Sequence, residues 1–260
     1  MEEMRKGEMI SLGGNLAAYR SAPAGFAAGD GSAGDGAQLR GALIVVHEVW
    51  GLVAHTKDVA DRFAAEGYLA IAPDLLAKDG PGPELAAELE EKLSDPQTRS
   101  QVQPKLREAM APLRAPGFAE KTLANMRASF DYLTRIPAVA GRIGITGFCF
   151  GGTYSFSLAV HEPRLRAAVP FYGHADFSVE QLHGISCPLL AFYGDNDDAL
   201  VSKLPELKDS MREAGVDFTA VVYPGAGHAF FNDTNSRTYR EDAAADSWRK
   251  TLDFLAMNLA

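Results

Sequence analysis

One stretch of the sequence combines a reactive side chain with the residues that a sharp turn needs. Cys149 stands at the centre of residues 147–152, which read Gly-Phe-Cys-Phe-Gly-Gly. A β-branched run, 142–146, precedes this stretch, and a run typical of a helix, 153–159, follows it. A strand, a tight turn and a helix in this order form a nucleophile elbow, which exposes the central side chain at the start of the helix. Because the helix dipole would favour the thiolate, we predict that Cys149 is a nucleophile.

Two later loops offer the groups that a thiol nucleophile needs. Such a nucleophile requires a base to take its proton, and the base requires an acid to orient it. His228 lies in the glycine-rich loop 225–230, and an earlier loop carries Asp195, Asp197 and Asp198. Each loop follows an apolar run typical of a strand, and catalytic groups of parallel α/β sheets gather at the carboxyl ends of strands. Nucleophile, acid and histidine thus occur in the order found in α/β-hydrolases.

The elements that would position these groups predict a mostly parallel sheet flanked by helices. A helix is expected from about His55 to Glu66, closed by Gly67. Strand, helix and strand in this order imply a right-handed crossover and a parallel sheet. The apolar runs read as strands lie at 42–46, 68–72, 142–146, 167–172, 188–193 and 218–223.

Three segments depart from this alternation. Residues 8–12 and 16–20 read as two strands joined by a glycine-rich turn, which predicts an N-terminal antiparallel hairpin. Residues 21–39 lack periodicity and are expected to form a surface loop. From about 77 to 116, apolar residues recur at helical spacing in two stretches, which we interpret as a helical lid excursion. No linker or internal repeat divides the chain, so we predict one domain over 1–260.

Composition narrows the class of partner and the compartment. The formal net charge of −9 argues against a nucleic-acid or anionic-membrane partner. Two cysteines, Cys149 and Cys187, in 260 residues indicate reduced thiols. The polar N-terminus precedes no apolar segment typical of a signal peptide, and no apolar run approaches the roughly 20 residues of a membrane span. We therefore expect a cytoplasmic protein with a small-molecule substrate.

Together the motifs resemble the dienelactone hydrolase (carboxymethylenebutenolidase) family of α/β-hydrolases. The likeness runs from about residue 42 to the C-terminus. The resemblance implies an α/β-hydrolase fold and hydrolysis of small esters or lactones through a thioester acyl-enzyme. Deacylation of a thioester needs no metal and no organic cofactor, and the family analogy suggests either a monomer or a dimer. Besides the elbow, the motifs that carry the resemblance lie at 47–51, 73–75, 171–173, 194–197 and 227–230.

The resemblance also implies roles for single residues. Carried over, the nucleophile is Cys149, the acid is Asp197 and the base is His228. The family motif has a glutamate close to the nucleophile where Glu48 stands, and we expect Glu48 to place or protonate the Cys149 thiol. His47, directly before it, is expected to be a neighbour rather than the base.

Backbone amides are expected to stabilise the oxyanion. One belongs to Phe150, the residue after the nucleophile. The family analogy gives the other to Val49, in the turn after the strand that ends at Val46. Removing one such donor typically raises the activation free energy by about 3 kcal/mol.

Substrate recognition departs from the family pattern at one position. Members that act on dienelactone bind its carboxylate with arginines, one of them four residues after the catalytic histidine. Asn232 stands there, and its amide cannot form a bidentate cationic contact. Small or aryl esters are therefore alternative substrates, and Trp50, Phe230 and Asn232 are our candidate binding residues. The second family arginine lies in the lid, where the candidates are Arg99, Lys105 and Arg107.

Two other functions remain open from the sequence. A hydrolase scaffold can carry a non-catalytic or redox-active thiol protein, because fold does not determine function. An acyltransferase would pass the same thioester to an acceptor other than water. The complete set of nucleophile, base and acid disfavours the first alternative.

Overall fold

The apolar runs of the sequence form the strands of one mixed sheet. The computed structural model describes residues 6–26, 39–77, 79–94 and 97–259. The described strands are β1 (Glu8–Ser11), β2 (Ala17–Ser21), β3 (Gly41–Val46), β4 (Tyr68–Pro73), β5 (Ile143–Phe148), β6 (Ala167–Phe171), β7 (Leu189–Gly194) and β8 (Phe218–Tyr223). The described helices are α1 (Ala54–Ala65), α2 (Pro83–Ser94), α3 (Arg99–Ala109), α4 (Phe118–Thr134), α5 (Phe150–His161), α6 (Val179–Leu182), α7 (Asp198–Val201), α8 (Leu204–Glu213) and α9 (Glu241–Asn258), with a short 3₁₀ turn at Pro112–Arg114.

The strand order confirms the prediction of a mostly parallel sheet with an antiparallel hairpin at one end. The order is β1-β2-β4-β3-β5-β6-β7-β8. Strand β1 pairs antiparallel with β2, and β2 pairs antiparallel with β4. All pairs from β4 to β8 are parallel. From β3 to β4 the chain moves toward one edge of the sheet, and from β5 to β6 it moves toward the other edge. Because both crossovers are right-handed, α1 and α5 lie on opposite faces of the sheet.

This reversal of direction puts the elbow at a topological switch point. Strand β5 lies between β3 and β6, and Val46 stands opposite Gly147 while Phe148 stands opposite Phe171. The carboxyl ends of these neighbouring strands therefore meet at one edge of the sheet. Open α/β sheets bind their ligands in the crevice at such an edge.

The central strands are buried because helices cover both faces of the sheet. Every residue of β3, β4, β5, β6 and β7 is buried. On one face, Phe63 of α1 packs against Trp248 of α9 at 4.5 Å between ring centroids. This apolar packing holds the strand ends rigidly, which a precise arrangement of side chains requires.

The segments outside the regular alternation are described only in part. Between β4 and α4 the chain forms α2, α3 and the 3₁₀ turn, where the spacing predicted helices over about 77–116. The expected surface loop at 21–39 lies mostly outside the described residues, at 27–38. None of the described helices has the length and apolar character needed to cross a membrane.

Candidate active site

Cys149 occupies a strained turn between β5 and α5. Its φ is +54° and its ψ is −108°, a conformation that a non-glycine residue rarely adopts. Its amide donates to the carbonyl of Phe171 at 3.1 Å, which fixes the turn against β6. A Cβ at Gly147 would come within 2.3 Å of the Gly151 carbonyl oxygen, and one at Gly151 within 2.2 Å of the Val46 oxygen. The glycines on both sides are thus required by close backbone contact, and the Cys149 side chain is left partly exposed.

The structure brings His228 and Asp197 together. Nδ1 of His228 lies 2.5 Å from Oδ2 of Asp197. Asp195, an equal candidate on position alone, instead accepts a hydrogen bond from the Gly225 amide at 2.7 Å. Asp195 thereby joins the loop after β7 to the loop that carries His228. Of these two aspartates, the one that contacts the imidazole is Asp197.

His228 also contacts the thiol of Cys149. Partial burial lowers the pKa of His228, but hydrogen bonds to Asp197 and Cys149 outweigh it and raise that pKa to about 10. The imidazole is therefore protonated at neutral pH, with its positive charge between a carboxylate and a sulfur. This arrangement allows the imidazole to exchange a proton with the Cys149 sulfur.

Glu48 is buried, and its charge and that of Cys149 both act on the Tyr172 hydroxyl. The Tyr172 hydroxyl donates to its Oε1 at 3.3 Å, and the Asn232 amide donates to its Oε2 at 3.0 Å. Burial, the charge of Glu48 and the charge of Cys149 raise the pKa of Tyr172 well above its usual value, so this hydroxyl stays protonated. The carboxylate of Glu48 is thus oriented by two neutral donors from different loops.

His47 is a structural neighbour of the site. Its Nε2 accepts the amide hydrogen of Leu75 at 3.1 Å, so the ring proton lies on Nδ1, which is 2.7 Å from the Glu48 carbonyl oxygen. Burial lowers the pKa of His47, and both ring nitrogens have backbone partners. This arrangement leaves no role for His47 as the base.

The two expected oxyanion donors lie on segments that contact each other. Phe150 is the first residue of α5, where backbone amides have no acceptor within the helix. Val49 stands in the turn after β3, which is shaped by a bond from the Gly51 amide to the Glu48 carbonyl at 3.1 Å. The Phe150 ring stacks on His47 with 5.7 Å between centroids. This contact couples the position of α5 to the turn that carries Val49.

The three candidate substrate contacts lie at different depths. Trp50 is half-buried beside Val49. Phe230 is fully buried, with its ring 5.5 Å from that of Tyr172. Asn232 is also buried; besides its bond to Glu48, its Oδ1 accepts the Thr234 amide hydrogen at 3.1 Å. Phe230 and Asn232 therefore pack beneath the surface of the site. Of the three candidates, only Trp50 has the exposure that a pocket wall requires.

The three candidate cationic residues of the lid differ in their surroundings. Lys105 of α3 pairs with Glu88 of α2 at 2.5 Å. Arg107 is exposed. The side chain of Arg99 lies outside the described part of the chain.

Two sets of supporting residues were not predicted from the sequence. Tyr172, directly after β6, has a φ of +37° and joins Glu48 to the loop of His228, because its hydroxyl binds Glu48 and its ring lies 5.0 Å from that of His228. Buried His55 of α1 lies with Nδ1 3.5 Å from Oδ1 of Asp233, and Arg62 binds the same carboxylate. Asp233 directly follows Asn232, so α1 anchors the segment that holds Glu48. The sequence signals were the position of Tyr172 at a strand end and its place in the 171–173 motif.

With this geometry in view, comparison with known proteins identifies the family. A model of the dienelactone hydrolase family matches residues 32–259. The chain belongs to the dienelactone hydrolase family. A candidate carboxymethylenebutenolidase of Saccharolobus solfataricus is 31% identical over 247 residues, which cover 85% of this chain and 95% of that protein. One from Salmonella typhimurium is 32% identical over 256 residues, covering 95% and 84%.

Solved structures of similar proteins agree with this assignment. A candidate dienelactone hydrolase from Klebsiella pneumoniae has a TM-score of 0.76 and 29% identity, with 96% of this chain and 98% of that chain covered. The dienelactone hydrolase-like promiscuous phosphotriesterase P91, from metagenomic libraries, shares the fold at a TM-score of 0.71 and 21% identity, with 98% of each chain covered. As a dienelactone hydrolase family member, the protein is a carboxylic ester or lactone hydrolase.

Proposed function

We propose that this hydrolase cleaves small esters and lactones through a Cys149-His228-Asp197 triad and a thioester acyl-enzyme. The observation that carries the proposal is that His228 contacts both Asp197 and the thiol of Cys149, at a strained elbow. A nucleophile, a base within reach of it and an acid that orients the base are the parts that covalent acyl transfer needs.

Acylation begins from the thiolate and imidazolium. The Cys149 sulfur attacks the carbonyl carbon, and the electron pair of the C=O bond moves to oxygen, where the amides of Val49 and Phe150 stabilise it. The tetrahedral intermediate then collapses: the C–O bond to the leaving alcohol breaks, and His228 gives its proton to that oxygen. For an ester the products are a free alcohol and an acyl thioester on Cys149, whereas for a lactone the ring opens and the new hydroxyl group stays on the acyl thioester.

Deacylation uses the same groups in reverse roles. Neutral His228, oriented by Asp197, takes a proton from water as the water oxygen attacks the thioester carbonyl. Collapse of the second tetrahedral intermediate breaks the C–S bond. The carboxylic acid leaves and the thiolate-imidazolium pair is restored. No step requires an oxidant or a reductant.

Glu48 is proposed to place the Cys149 sulfur and to exchange a proton with it. Its buried carboxylate is held by Tyr172 and Asn232, and the charge of Cys149 acts on Tyr172 as well. A carboxylate with a fixed position can hold a thiol by a hydrogen bond and can act as its proton acceptor.

Replacing Glu48 by glutamine tests this role. An amide has one oxygen to offer Tyr172 and Asn232, so one of the two donors loses its acceptor. We expect ester hydrolysis to fall roughly 100-fold, with a parallel fall in the rate of Cys149 alkylation by iodoacetamide. Glu213→Gln, at an exposed position at the end of α8, is the matched control. An alkylation rate equal to that of the wild type would remove Glu48 from the mechanism.

The substrate is proposed to be a small ester or lactone that need not carry a carboxylate. The position four residues after His228 holds a neutral amide, and that amide is occupied by Glu48 and Thr234. A carboxylate on the substrate would therefore lack a bidentate cationic partner at this position.

A matched pair of lactones tests the substrate proposal. cis-Dienelactone carries a carboxylate, whereas protoanemonin has the same unsaturated ring without it. p-Nitrophenyl acetate is the activity standard, and we expect turnover of all three compounds. The kcat/KM for dienelactone should be no more than about threefold above that for protoanemonin, because an exposed charge contact contributes under about 1 kcal/mol. A preference for dienelactone of tenfold or more would show that another cation recognises the carboxylate.

A further inference from the structure

We propose that a cavity beside Asp197 and His228 is the subsite for the leaving alcohol, and that it takes a polyhydroxylated alcohol about the size of one sugar ring. This inference rests on the proposed function and names the substrate class of the same site. The cavity has a volume of about 140 Å³ and lies between the loop after β6 and helices α7 and α8.

The walls of the cavity are fixed to the catalytic elements. On one side, a Cβ at Gly173 would come within 2.2 Å of the Gly152 carbonyl carbon, so this loop packs directly on α5. The His174 amide also donates to Oγ1 of Thr153 at 2.9 Å. On the other side, the amide of Leu200 donates to the carbonyl of Asp197 at 3.0 Å. The cavity is therefore held between the elbow helix and the acid of the triad.

The position of the cavity matches the path of the leaving group. Burial and the charge of Lys203 lower the pKa of His174, and the charges of Asp197 and His228 act on the same ring. The Tyr172 ring lies 5.0 Å from the His228 ring, and Gly173, the next residue, lines the cavity, which places this wall beside the acid-base pair. Because His228 protonates the departing oxygen, the leaving alcohol must lie on the His228 side of the sulfur. A group attached to that oxygen would extend toward this cavity.

The lining combines a buried floor with a charged, polar rim. Tyr193, Leu200 and Leu204 are buried at the floor. The Tyr193 hydroxyl donates to the Gly173 carbonyl at 3.5 Å, at the limit for a hydrogen bond, so it can rotate toward a ligand. Burial raises the pKa of Tyr193, which keeps this hydroxyl a donor.

The rim offers both donors and acceptors without a net positive charge. Lys203, Asp176 and Glu206 are exposed there, and none of them forms an ion pair within the described part of the chain. One ammonium and two carboxylates disfavour an anionic alcohol, whereas hydroxyl groups can both donate to the carboxylates and accept from the ammonium. The volume is close to the roughly 150 Å³ of a cavity that holds a benzene ring. The chemistry and the size together indicate a neutral six-membered ring with hydroxyl groups.

Two acetates of similar shape test the proposal. The primary acetyl ester of glucose and cyclohexylmethyl acetate share the acyl group, the primary ester and the ring size, and they differ in the ring hydroxyls. Release of acetate is measured for both. We expect the wild type to show a kcat/KM for the glucose ester at least tenfold higher, since a site built to bind hydroxyls discriminates against an analogue that lacks them.

Variants of the rim separate recognition from catalysis. Lys203→Met combined with Glu206→Met should lower kcat/KM for the glucose ester by about tenfold and leave that for cyclohexylmethyl acetate within twofold. Leu207→Trp, which fills the cavity, should lower kcat/KM for both acetates. p-Nitrophenyl acetate, whose ring carries no hydroxyl groups for the rim to bind, serves as the activity standard for the Lys203 and Glu206 double variant. Lys208→Met, an exposed position that does not line the cavity, is the control.

The outcomes distinguish this inference from the proposed function. If p-nitrophenyl acetate is turned over, two results would overturn the subsite alone. One is an equal kcat/KM of the wild type for the two acetates. The other is an equal fall in kcat/KM for both acetates in the Lys203 and Glu206 double variant. Preference for cyclohexylmethyl acetate would overturn it in favour of an apolar subsite. Failure of the wild type to hydrolyse any of the three esters would overturn the proposed function and the subsite with it.

Discussion

Replacing Cys149 by alanine is expected to lower ester hydrolysis by about 10⁵-fold, because the variant loses the atom that forms the covalent intermediate. The oxyanion donors and the binding site would remain, so a small residual rate over water is expected. The measurement is kcat for p-nitrophenyl acetate under saturating substrate. Cys149→Ser keeps the shape of the elbow with a hydroxyl that does not ionise, and it should also lose most of the activity.

Cys187 provides the matched control for that result. It is buried, and burial raises the pKa of its thiol to about 12, so it is neither accessible nor ionised at neutral pH. Cys187→Ala should therefore keep kcat within a few-fold of the wild type. If Cys149→Ala retained a tenth or more of the activity, the thiol could not be the nucleophile.

Replacing His228 by alanine is expected to have the second large effect. Hydrolysis should fall by roughly 10⁴-fold or more, since both the proton transfer and the partner of the thiolate are lost. The same variant should lose thiol reactivity at low pH. An ordinary cysteine, with a pKa near 8.5, is less than about 1% thiolate at about pH 6, whereas the His228 imidazolium favours the thiolate.

The pH dependence has a definite direction. The pKa of His228 is raised to about 10, above its usual value, so its proton is held through neutral pH and is lost as the pH rises through that value. We expect iodoacetamide to alkylate wild-type Cys149 at about pH 6 roughly 100-fold faster than Cys149 in His228→Ala, with the difference vanishing above about pH 10. His183→Ala, at an exposed position after α6, is the control. Equal alkylation of the two proteins at about pH 6 would contradict the ion pair.

The parts of the site that could be predicted from the sequence depend on local constraints. The elbow requires glycines beside Cys149 because backbone atoms approach within contact distance there, and a glycine pattern is visible in any sequence. The fold followed from continuous apolar runs that alternate with helical patterns. The family was recognised from short motifs at strand ends, where catalytic groups gather.

The parts that could not be predicted depend on contacts between distant segments. Three aspartates fit the sequence order. The structure separates Asp197, whose carboxylate contacts His228, from Asp195, whose carboxylate accepts the Gly225 amide hydrogen. Phe230 was expected, as an aromatic residue, to contact the substrate. A left-handed turn at Ala229, with a φ of +60°, precedes it, and the Phe230 ring is buried among Phe171, Tyr172 and Tyr223. A non-glycine residue with positive φ leaves no reliable sequence signal.

The same limit applies to the residues that hold Glu48. Asn232 was expected to meet substrate, yet its amide binds Glu48, 184 positions earlier in the chain. Tyr172 reaches the same carboxylate from β6, across 124 positions. Neither contact follows a spacing rule, since both depend on how the strand ends meet at the switch point.

The central claim is that the acyl group passes through the sulfur of Cys149, and mass spectrometry of the quenched enzyme tests it most directly. The protein is mixed with p-nitrophenyl acetate, quenched in acid during turnover and digested, and each peptide is examined for an added acetyl group. We predict acetylation of the peptide that contains Cys149, removable by hydroxylamine as a thioester is, and absent from Cys149→Ala. An acetyl group that accumulates on any other side chain and is lost at the rate of turnover, with Cys149 unmodified, would contradict the account.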